Sequence, residues 1–144
     1  MIVKLSDLMK NQKETRNFYL FYGTNIGQIE EVINDMLKPK FSKNIYNYDE
    51  NEIILNNSEF VENILNKSFF DNEKLIIINR GSDKILKIIE NLIQKKITGT
   101  VVVIKTNILE KKSKLRNFFE KSKNLIIIPF YEDTHQSLLF LAQN

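Results

Sequence analysis

The sequence predicts an α/β fold in which a doubly wound parallel sheet of five strands lies between two layers of helices. Four short apolar runs carry no polar residue at alternate positions, which is typical of strands buried on both faces. Segments with helical spacing of apolar side chains separate these runs. Strand and helix therefore alternate along the chain, which is the pattern of a three-layer α-β-α domain. The four runs are residues 18–22, 75–78, 101–104 and 125–128.

The other elements follow from weaker signals. Residues 44–48 alternate polar and apolar side chains, so we expect this fifth strand at an edge of the sheet. Proline at position 39 ends a helix over residues 26–37, whose apolar stripe comprises Ile26, Ile29, Val32, Ile33, Met36 and Leu37. Four further helices are predicted. The first begins after Ser58, and the second begins after Ser82 or Asp83 and stops before Gly99. The third covers residues 111–121, and the fourth begins at Thr134.

Composition limits the chemistry that the chain can perform. Its 144 residues fit one domain, and a net charge of +3 permits a nucleic-acid partner without demanding one. The absence of cysteine excludes disulfides and thiolate chemistry, and a single histidine, His135, excludes a multi-histidine metal centre. We therefore predict no metal and no cofactor. The first residues lack a secretory signal and no apolar run could span a bilayer, so we expect a cytoplasmic protein without membrane contact.

The loop after the first predicted strand is where a doubly wound sheet would bind phosphate, at the start of a helix. A phosphate-binding loop needs two glycines separated by four residues, then a lysine for the phosphates and a hydroxyl residue for Mg²⁺. Here Gly23 and Gly27 are one residue too close, and Gln28 and Ile29 follow. We predict that the glycines serve the turn and close packing, with a residual nucleotide site as the alternative. The degenerate loop comprises Gly23, Thr24, Asn25, Gly27 and Gln28.

No arrangement of residues indicates catalysis. In ATPases an acidic residue usually ends a central strand and binds Mg²⁺, but the candidate strand here is followed by Asn79. Asp49, Glu50 and Glu52 form an acidic cluster, which we interpret as a solvated loop rather than a metal site. His135 has no accompanying oxyanion motif and is expected at the surface. We therefore predict no catalytic residue.

A basic segment in the last third of the chain is a candidate DNA contact, where each phosphate would add to a salt-dependent affinity. The alternative is a solvated helix face, because Glu110 and Glu120 are interspersed among the cations. No aromatic stacking platform interleaves the cations, which argues against single-strand binding as the main role. The candidate DNA contacts are Lys111, Lys112, Lys114 and Arg116.

Several motifs, in their order and spacing, resemble the amino-terminal domain of the delta subunit of bacterial DNA polymerase III. Residues 5–8 resemble its opening short helix, residues 18–23 its first strand and turn, and residues 26–36 its first long helix. Residues 66–78 match the family's small residue, two bulky apolar residues, polar turn and buried strand. Residues 101–115 fit a later strand followed by a lysine-rich helix.

This resemblance implies the fold of the AAA+ ATPases with a degenerate nucleotide site. It implies that residues 1–130 are the first domain of a longer protein, and that residues 131–144 begin a helix leading to the next one. The implied role is that of a clamp-loader subunit, which binds the beta sliding clamp and opens the ring for loading onto primed DNA. Its other partners would be the gamma/tau and delta prime subunits, bound through the missing carboxyl-terminal part. Such a subunit has no enzymatic activity of its own. The nucleotidyl transfer is performed by the polymerase complex of which it is a part.

The resemblance places the family's clamp contact at Phe69 and Phe70, which would protrude from a helix end into an apolar pocket of the clamp. The first of the two is often leucine in the family, so Phe69 changes the shape offered to that pocket. Ile64 and Leu65 would anchor the helix or flank the contact. From the residues alone, phenylalanine is more often a core residue, although two adjacent residues at a helix end rarely both point inward.

Two other functions are alternatives to clamp binding. A nucleotide-binding ATPase domain of the P-loop type would require the lysine that the glycine loop lacks. A doubly wound signalling domain would require an acidic pair at the ends of its first strands, and Gly23, Thr24 and Asn25 provide none.

Overall fold

A computed structural model describes residues 1–5, 17–41, 44–70, 73–97, 99–107 and 109–131, and for residues 66–70 it describes the backbone alone. The predicted helix at Thr134, the predicted surface position of His135 and most of the predicted opening helix lie outside the described residues. Within the described ranges, every helix is too short or too polar to traverse a bilayer.

Five parallel strands form one sheet, as the sequence predicts. They are β1 Phe18–Tyr22, β2 Ile45–Asp49, β3 Lys74–Asn79, β4 Thr100–Lys105 and β5 Leu125–Pro129. Their order across the sheet is β2-β3-β4-β1-β5, so the alternating strand β2 lies at an edge, as predicted. The apolar strands β1, β3 and β4 lie inside the sheet and are buried at almost every position, because helices cover both faces.

The described helices and helical turns connect these strands. They are, in chain order, α1 (Ile26–Val32), a π-helical turn (Ile33–Leu37), a 3₁₀ turn (Lys38–Lys40), α2 (Glu50–Leu55), α3 (Asn57–Phe70), a second 3₁₀ turn (Asp83–Ile85), α4 (Leu86–Gln94) and α5 (Lys114–Lys121). α1 follows β1, and the pair α2 and α3 lies between β2 and β3. α4 and α5 follow β3 and β4 in turn.

The two faces of the sheet carry different helices, which gives the described part of the chain three layers. Helices α2 to α5 pack on one face, and α1 with its π-helical turn packs on the other. In β1, Leu20 belongs to the first core and Phe21 to the second, because successive side chains of a strand point to opposite faces. Helical residues at the centres of the two cores are Phe60, Ile64, Ile89, Leu92, Leu115 and Phe119 on one face and Ile29, Val32, Ile33 and Leu37 on the other.

The segment between β2 and β3 contains two helices where the sequence predicts one. The carboxylate of Asp49 accepts a hydrogen bond from the Asn51 amide at 3.1 Å and so caps α2. α3 then begins at Asn57, which places Ser58 within its first turn rather than before it. The predicted stripe of α1 is wrong at one position, because Ile26 is 57% exposed.

The predicted end of α4 at Gly99 is also wrong. The helix ends at Gln94, and Lys96 adopts the left-handed backbone conformation, with a φ of 50°, in the adjoining turn. Gly99, with a φ of 68°, instead leads into β4. A lysine therefore occupies the turn where the sequence pattern favours glycine.

Candidate functional site

The loop after β1 lies against the chain that leaves β5. Gly23 has a φ of +127°, and a Cβ atom added there would lie 1.7 Å from the carbonyl oxygen of Phe130. The Gly23 amide donates a hydrogen bond to the Asn107 carbonyl oxygen at 3.0 Å, and the Asn25 amide donates to the Phe130 carbonyl oxygen at 3.0 Å. Gly23 therefore permits close contact between two backbone segments of the protein itself.

The amides at the start of α1 are bonded within the loop. The side-chain oxygen of Asn25 accepts from the Gln28 amide at 3.1 Å, as a helix-capping residue does. The Ile26 amide donates to the Thr24 carbonyl oxygen at 3.0 Å, and the Ile29 amide donates to that of Asn25 at 3.2 Å. A phosphate at this position would need such amides as donors, and protein acceptors already hold those of Ile26, Gln28 and Ile29.

Gly27 differs from Gly23 because nothing crowds it. A Cβ atom added there would meet only the side-chain oxygen of Asn25, at 3.8 Å, which is an ordinary contact distance. Gly27 also lies within α1, where any residue with helical geometry fits. The geometry of the loop therefore requires glycine at position 23 and not at position 27.

The carboxyl ends of β3 and β4 carry amide and cationic side chains that already have partners. The side chain of Asn79 donates a hydrogen bond to the backbone of β2 at 3.1 Å. Arg80 forms an ion pair with Asp49, and Lys105 forms one with Glu30. The described residues contain no group of three or more His, Cys, Asp or Glu side chains that could hold a metal ion.

The prediction of a solvated loop for the acidic cluster at the end of β2 is wrong at Glu50, whereas Glu52 is exposed. Glu50 is 4% exposed, and its carboxylate accepts hydrogen bonds from the amide and the hydroxyl of Ser82, both at 2.7 Å. The hydrogen bond from the Asn51 amide and the pairing with Arg80 hold the pKa of Asp49 below its ordinary value. The two carboxylates thus join the start of α2 to the turn between β3 and α4.

Asp83 connects the same turn to α5. Its carboxylate accepts hydrogen bonds from the Ser113 hydroxyl at 2.5 Å and from the amides of Lys114 and Leu115 at 3.2 Å each. Burial acts to raise the pKa of the Asp83 carboxyl, but these hydrogen bonds outweigh it and lower the pKa overall. Sequence reasoning missed Glu50 and Asp83 as connecting residues, because their partners are distant in the sequence.

The candidate DNA contacts cluster at the start of α5. That helix begins at Lys114 because Ser113 caps it, accepting a hydrogen bond from the Arg116 amide at 3.2 Å. Lys111 and Lys112 therefore lie in the preceding turn, not in a helix as predicted. All three lysines are exposed to solvent.

Arg116 is bound by neighbouring protein groups. Its guanidinium pairs with Glu120 at 2.9 Å, which raises the pKa of Arg116, and it donates to the Leu109 carbonyl oxygen at 2.7 Å. It also lies 5.0 Å from the centre of the Tyr22 ring, in a cation–π contact. Among the four candidate DNA contacts, the three lysines are therefore the better placed to meet a phosphate.

α3 carries the aromatic pair of the sequence at its carboxyl end. The helix ends at Phe70, and the side chains of Phe69 and Phe70 lie outside the described residues. Ile64 is buried in the core, and Leu65 is half-buried against the same core. Ile64 therefore anchors the helix that ends in the aromatic pair.

The family comparison covers most of the chain. A family-wide sequence model described as "DNA polymerase III, delta subunit" matches residues 19–129, which include nearly the whole sheet. The chain belongs to the DNA polymerase III delta-subunit family. Comparison of this delta-family chain with curated protein sequences gave no match.

Among solved structures, the delta-family chain is similar to the DNA clamp loader delta protein YqeN of Bacillus subtilis. The two have a TM-score of 0.66 and 18% sequence identity. The match covers 94% of this chain and 45% of that one, so the delta-family chain spans about half of the length of that protein. At this identity the likeness shows the fold alone, a five-stranded parallel sheet flanked by helices.

Proposed function

We propose that this delta-family chain is the part of a clamp-loader subunit that binds the beta sliding clamp and stabilises its open ring for loading onto primed DNA. Family membership carries the proposal, together with the position of Phe69 and Phe70 at the end of α3. In this role the chain binds proteins and performs no catalysis of its own. It would act in the cytoplasm at the replication fork, within a polymerase complex that performs nucleotidyl transfer.

The aromatic pair supplies the binding energy in this proposal. Two adjacent phenylalanine side chains that enter one apolar cleft bury a large area in a compact site, which is typical of an interface hot spot. The packing of Ile64 in the core supports this role, because a helix that is already fixed loses little entropy on binding. Phe69, Phe70 and the flanking Leu65 would form the contact, and Ile64 would hold it in place.

Ring opening follows from a preference for one state of the clamp. The open and closed rings are in equilibrium, and a ligand that binds the open ring more tightly shifts the population toward it. No step of this scheme uses a nucleotide. The bonded amides of the loop after β1 support a degenerate nucleotide site in this AAA+-like domain, and they do not favour the ATPase alternative.

The remaining partners belong to the same proposal. Residues 1–130 would form an AAA+-like amino-terminal domain, and residues 131–144 would begin the helix that leads to the next domain. The gamma/tau and delta prime subunits would bind that further portion. The exposed residues Lys111, Lys112 and Lys114 would contact phosphates of the primed DNA.

Calorimetric titration of the sliding clamp with the wild-type chain and with Phe69→Ala/Phe70→Ala tests the aromatic contact. Truncation of a hot-spot residue costs about 2 kcal/mol or more, so we expect the affinity to fall at least about thirtyfold. Leu55→Ala is the matched control. Leu55 is an apolar residue that is 82% exposed, and it lies just before the first residue of α3, far along the chain from the aromatic pair at the end of that helix. Undiminished binding by the double variant would contradict the contact. An equal loss in Leu55→Ala would point to a non-specific apolar effect and would also count against it.

A further inference from the structure

Where the chain leaves β5, its backbone is still hydrogen-bonded to the end of β1 and the loop that follows. The Phe130 amide donates a hydrogen bond to the Tyr22 carbonyl oxygen at 2.6 Å, and the Phe130 carbonyl oxygen accepts one from the Asn25 amide at 3.0 Å. The parallel pairing of the two strands thus continues one residue beyond β5, into the loop after β1. Gly23 makes room for it, since a Cβ atom there would lie 1.7 Å from the Phe130 carbonyl oxygen.

The side chains of residues 130 and 131 extend this attachment to both faces of the sheet. Phe130 is 1% exposed and packs edge-to-face on Phe21 in the core beneath α1, with ring centres 5.1 Å apart. Tyr131 packs edge-to-face on Tyr22, with ring centres 6.0 Å apart. Tyr22 belongs to the opposite core, where Arg116 of α5 lies over its ring. The two exit residues are therefore attached on both sides of the sheet.

The contact with Tyr131 also acts on the hydroxyl of Tyr22. Burial raises the pKa of Tyr22 to about 12, and the adjacent Tyr131 side chain adds to that increase. Tyr131 is nevertheless 50% exposed, so it makes this contact at the rim of the domain and not within the core. An exposed ring with an aromatic partner attaches the chain without contributing to the core.

We propose that the loop after β1, residues 23–28, works as a latch on the protein's own chain and fixes the direction in which that chain leaves the sheet. The Asn25 amide holds a peptide carbonyl oxygen where a nucleotide-binding loop would hold phosphate. This inference is independent of clamp binding, since it concerns how the sheet is connected to the chain beyond β5. The B. subtilis delta protein is matched over 45% of its length, so such a latch would set the orientation of a further portion.

A pair of substitutions at Asn25 isolates the backbone hydrogen bond. Asn25→Pro removes the amide hydrogen that binds Phe130, and the φ of −85° at Asn25 is close to the proline range. Asn25→Ala keeps that amide and loses only the side-chain hydrogen bonds with Gln28, which the proline variant loses as well. We expect chymotrypsin to cleave after Phe130 or Tyr131 about fivefold faster in Asn25→Pro than in Asn25→Ala, the effect of one net hydrogen bond. Equal cleavage rates in the two variants would overturn the latch.

A distance measurement tests the direction of the chain itself. The sequence contains no cysteine, so Glu31→Cys and Asp133→Cys allow two spin labels, one on α1 and one just beyond the latch. We expect a narrow distance distribution in the doubly labelled chain and a broader one when Tyr131→Ala is added. Because Tyr131 is half-exposed, this variant keeps the fold even if Asn25→Pro does not. A broad distribution with Tyr131 present, or no broadening without it, would overturn the proposal.

Discussion

Gly23 and Gly27 share one loop, but the backbone requires glycine only at position 23. Gly23→Ala should lower the free energy of unfolding by about 2 kcal/mol or more, because its φ is +127° and its Cβ atom would collide with the Phe130 carbonyl oxygen. Gly27→Ala is the matched control and should be neutral or stabilising by up to about 1 kcal/mol, because alanine favours a helix. Urea denaturation measures both, and equal effects at the two positions would contradict this assignment.

The chemistry of this loop could be predicted from the sequence, whereas its geometry could not. The sequence itself shows that the phosphate-binding lysine and the Mg²⁺-binding hydroxyl residue are absent, since Gln28 and Ile29 occupy their positions. The contact between Gly23 and Phe130 depends on the pairing of β1 with β5, which only the strand order determines. A residue pattern within one loop carries no information about that long-range contact.

Among the connections between elements, Asp83 joins the turn before α4 to the start of α5. Asp83→Ala should lower the free energy of unfolding by about 1–2 kcal/mol at neutral pH, because the amides at the start of α5 lose their external acceptor. Asp83→Asn keeps one acceptor oxygen and should cost less. Thermal or urea unfolding of the three proteins measures the difference. Wild-type stability in Asp83→Ala would contradict the role of Asp83 in this connection.

The Asp83 carboxylate should also make the free energy of unfolding depend on pH. Since the pKa of Asp83 is lowered in the folded protein, its ionised form stabilises the fold above the ordinary pKa of aspartate. That contribution is lost as the pH falls through the lowered pKa. We expect the stability difference between wild type and Asp83→Ala to be constant above about pH 5 and to shrink below about pH 4. A difference that stays the same at acid pH would show that the charge of Asp83 contributes nothing.

The strands were easier to predict than the helices for a physical reason. β3, β4 and β5 are continuous apolar runs, because both of their faces are buried, and the described helices lack this pattern. α2 has no such signal, since Asp49, Glu50 and Glu52 give its start the composition of a solvated loop. The burial of Glu50 was also invisible, because its partner Ser82 comes from a different element.

On the scale of the whole molecule, exposed lysines at the start of α5 should contribute to DNA binding by the assembled clamp loader. Lys111→Ala/Lys112→Ala should weaken binding of primed DNA and reduce the salt dependence, by about one unit of slope for each phosphate that is no longer bound. Lys95→Ala/Lys96→Ala is the matched control, because it removes the same charge from exposed positions after α4. Equal effects of the two pairs would mean that net charge alone matters and would contradict a specific contact.

The fold class could be predicted from the order of elements, because alternating strands and helices admit few arrangements. The family could be predicted because several motifs, in their order and spacing, resemble those of the delta subunit. The functional surface is harder to predict. A phenylalanine pair before a buried strand has the same sequence pattern whether it packs in the core or binds a partner, so Phe69 and Phe70 remain a prediction. The fixed position of Ile64 constrains where α3 ends but not what it contacts.

Titration of the sliding clamp with this chain, in the absence and in the presence of excess ATP and Mg²⁺, is the most direct test of a protein-binding domain that works without nucleotide. We expect saturable binding with the same affinity in both conditions, because protein acceptors hold the Asn25, Ile26 and Gln28 amides of the loop after β1. Absence of binding would contradict the proposed function. An affinity that changes on addition of ATP would contradict the degenerate nucleotide site that the proposed function requires.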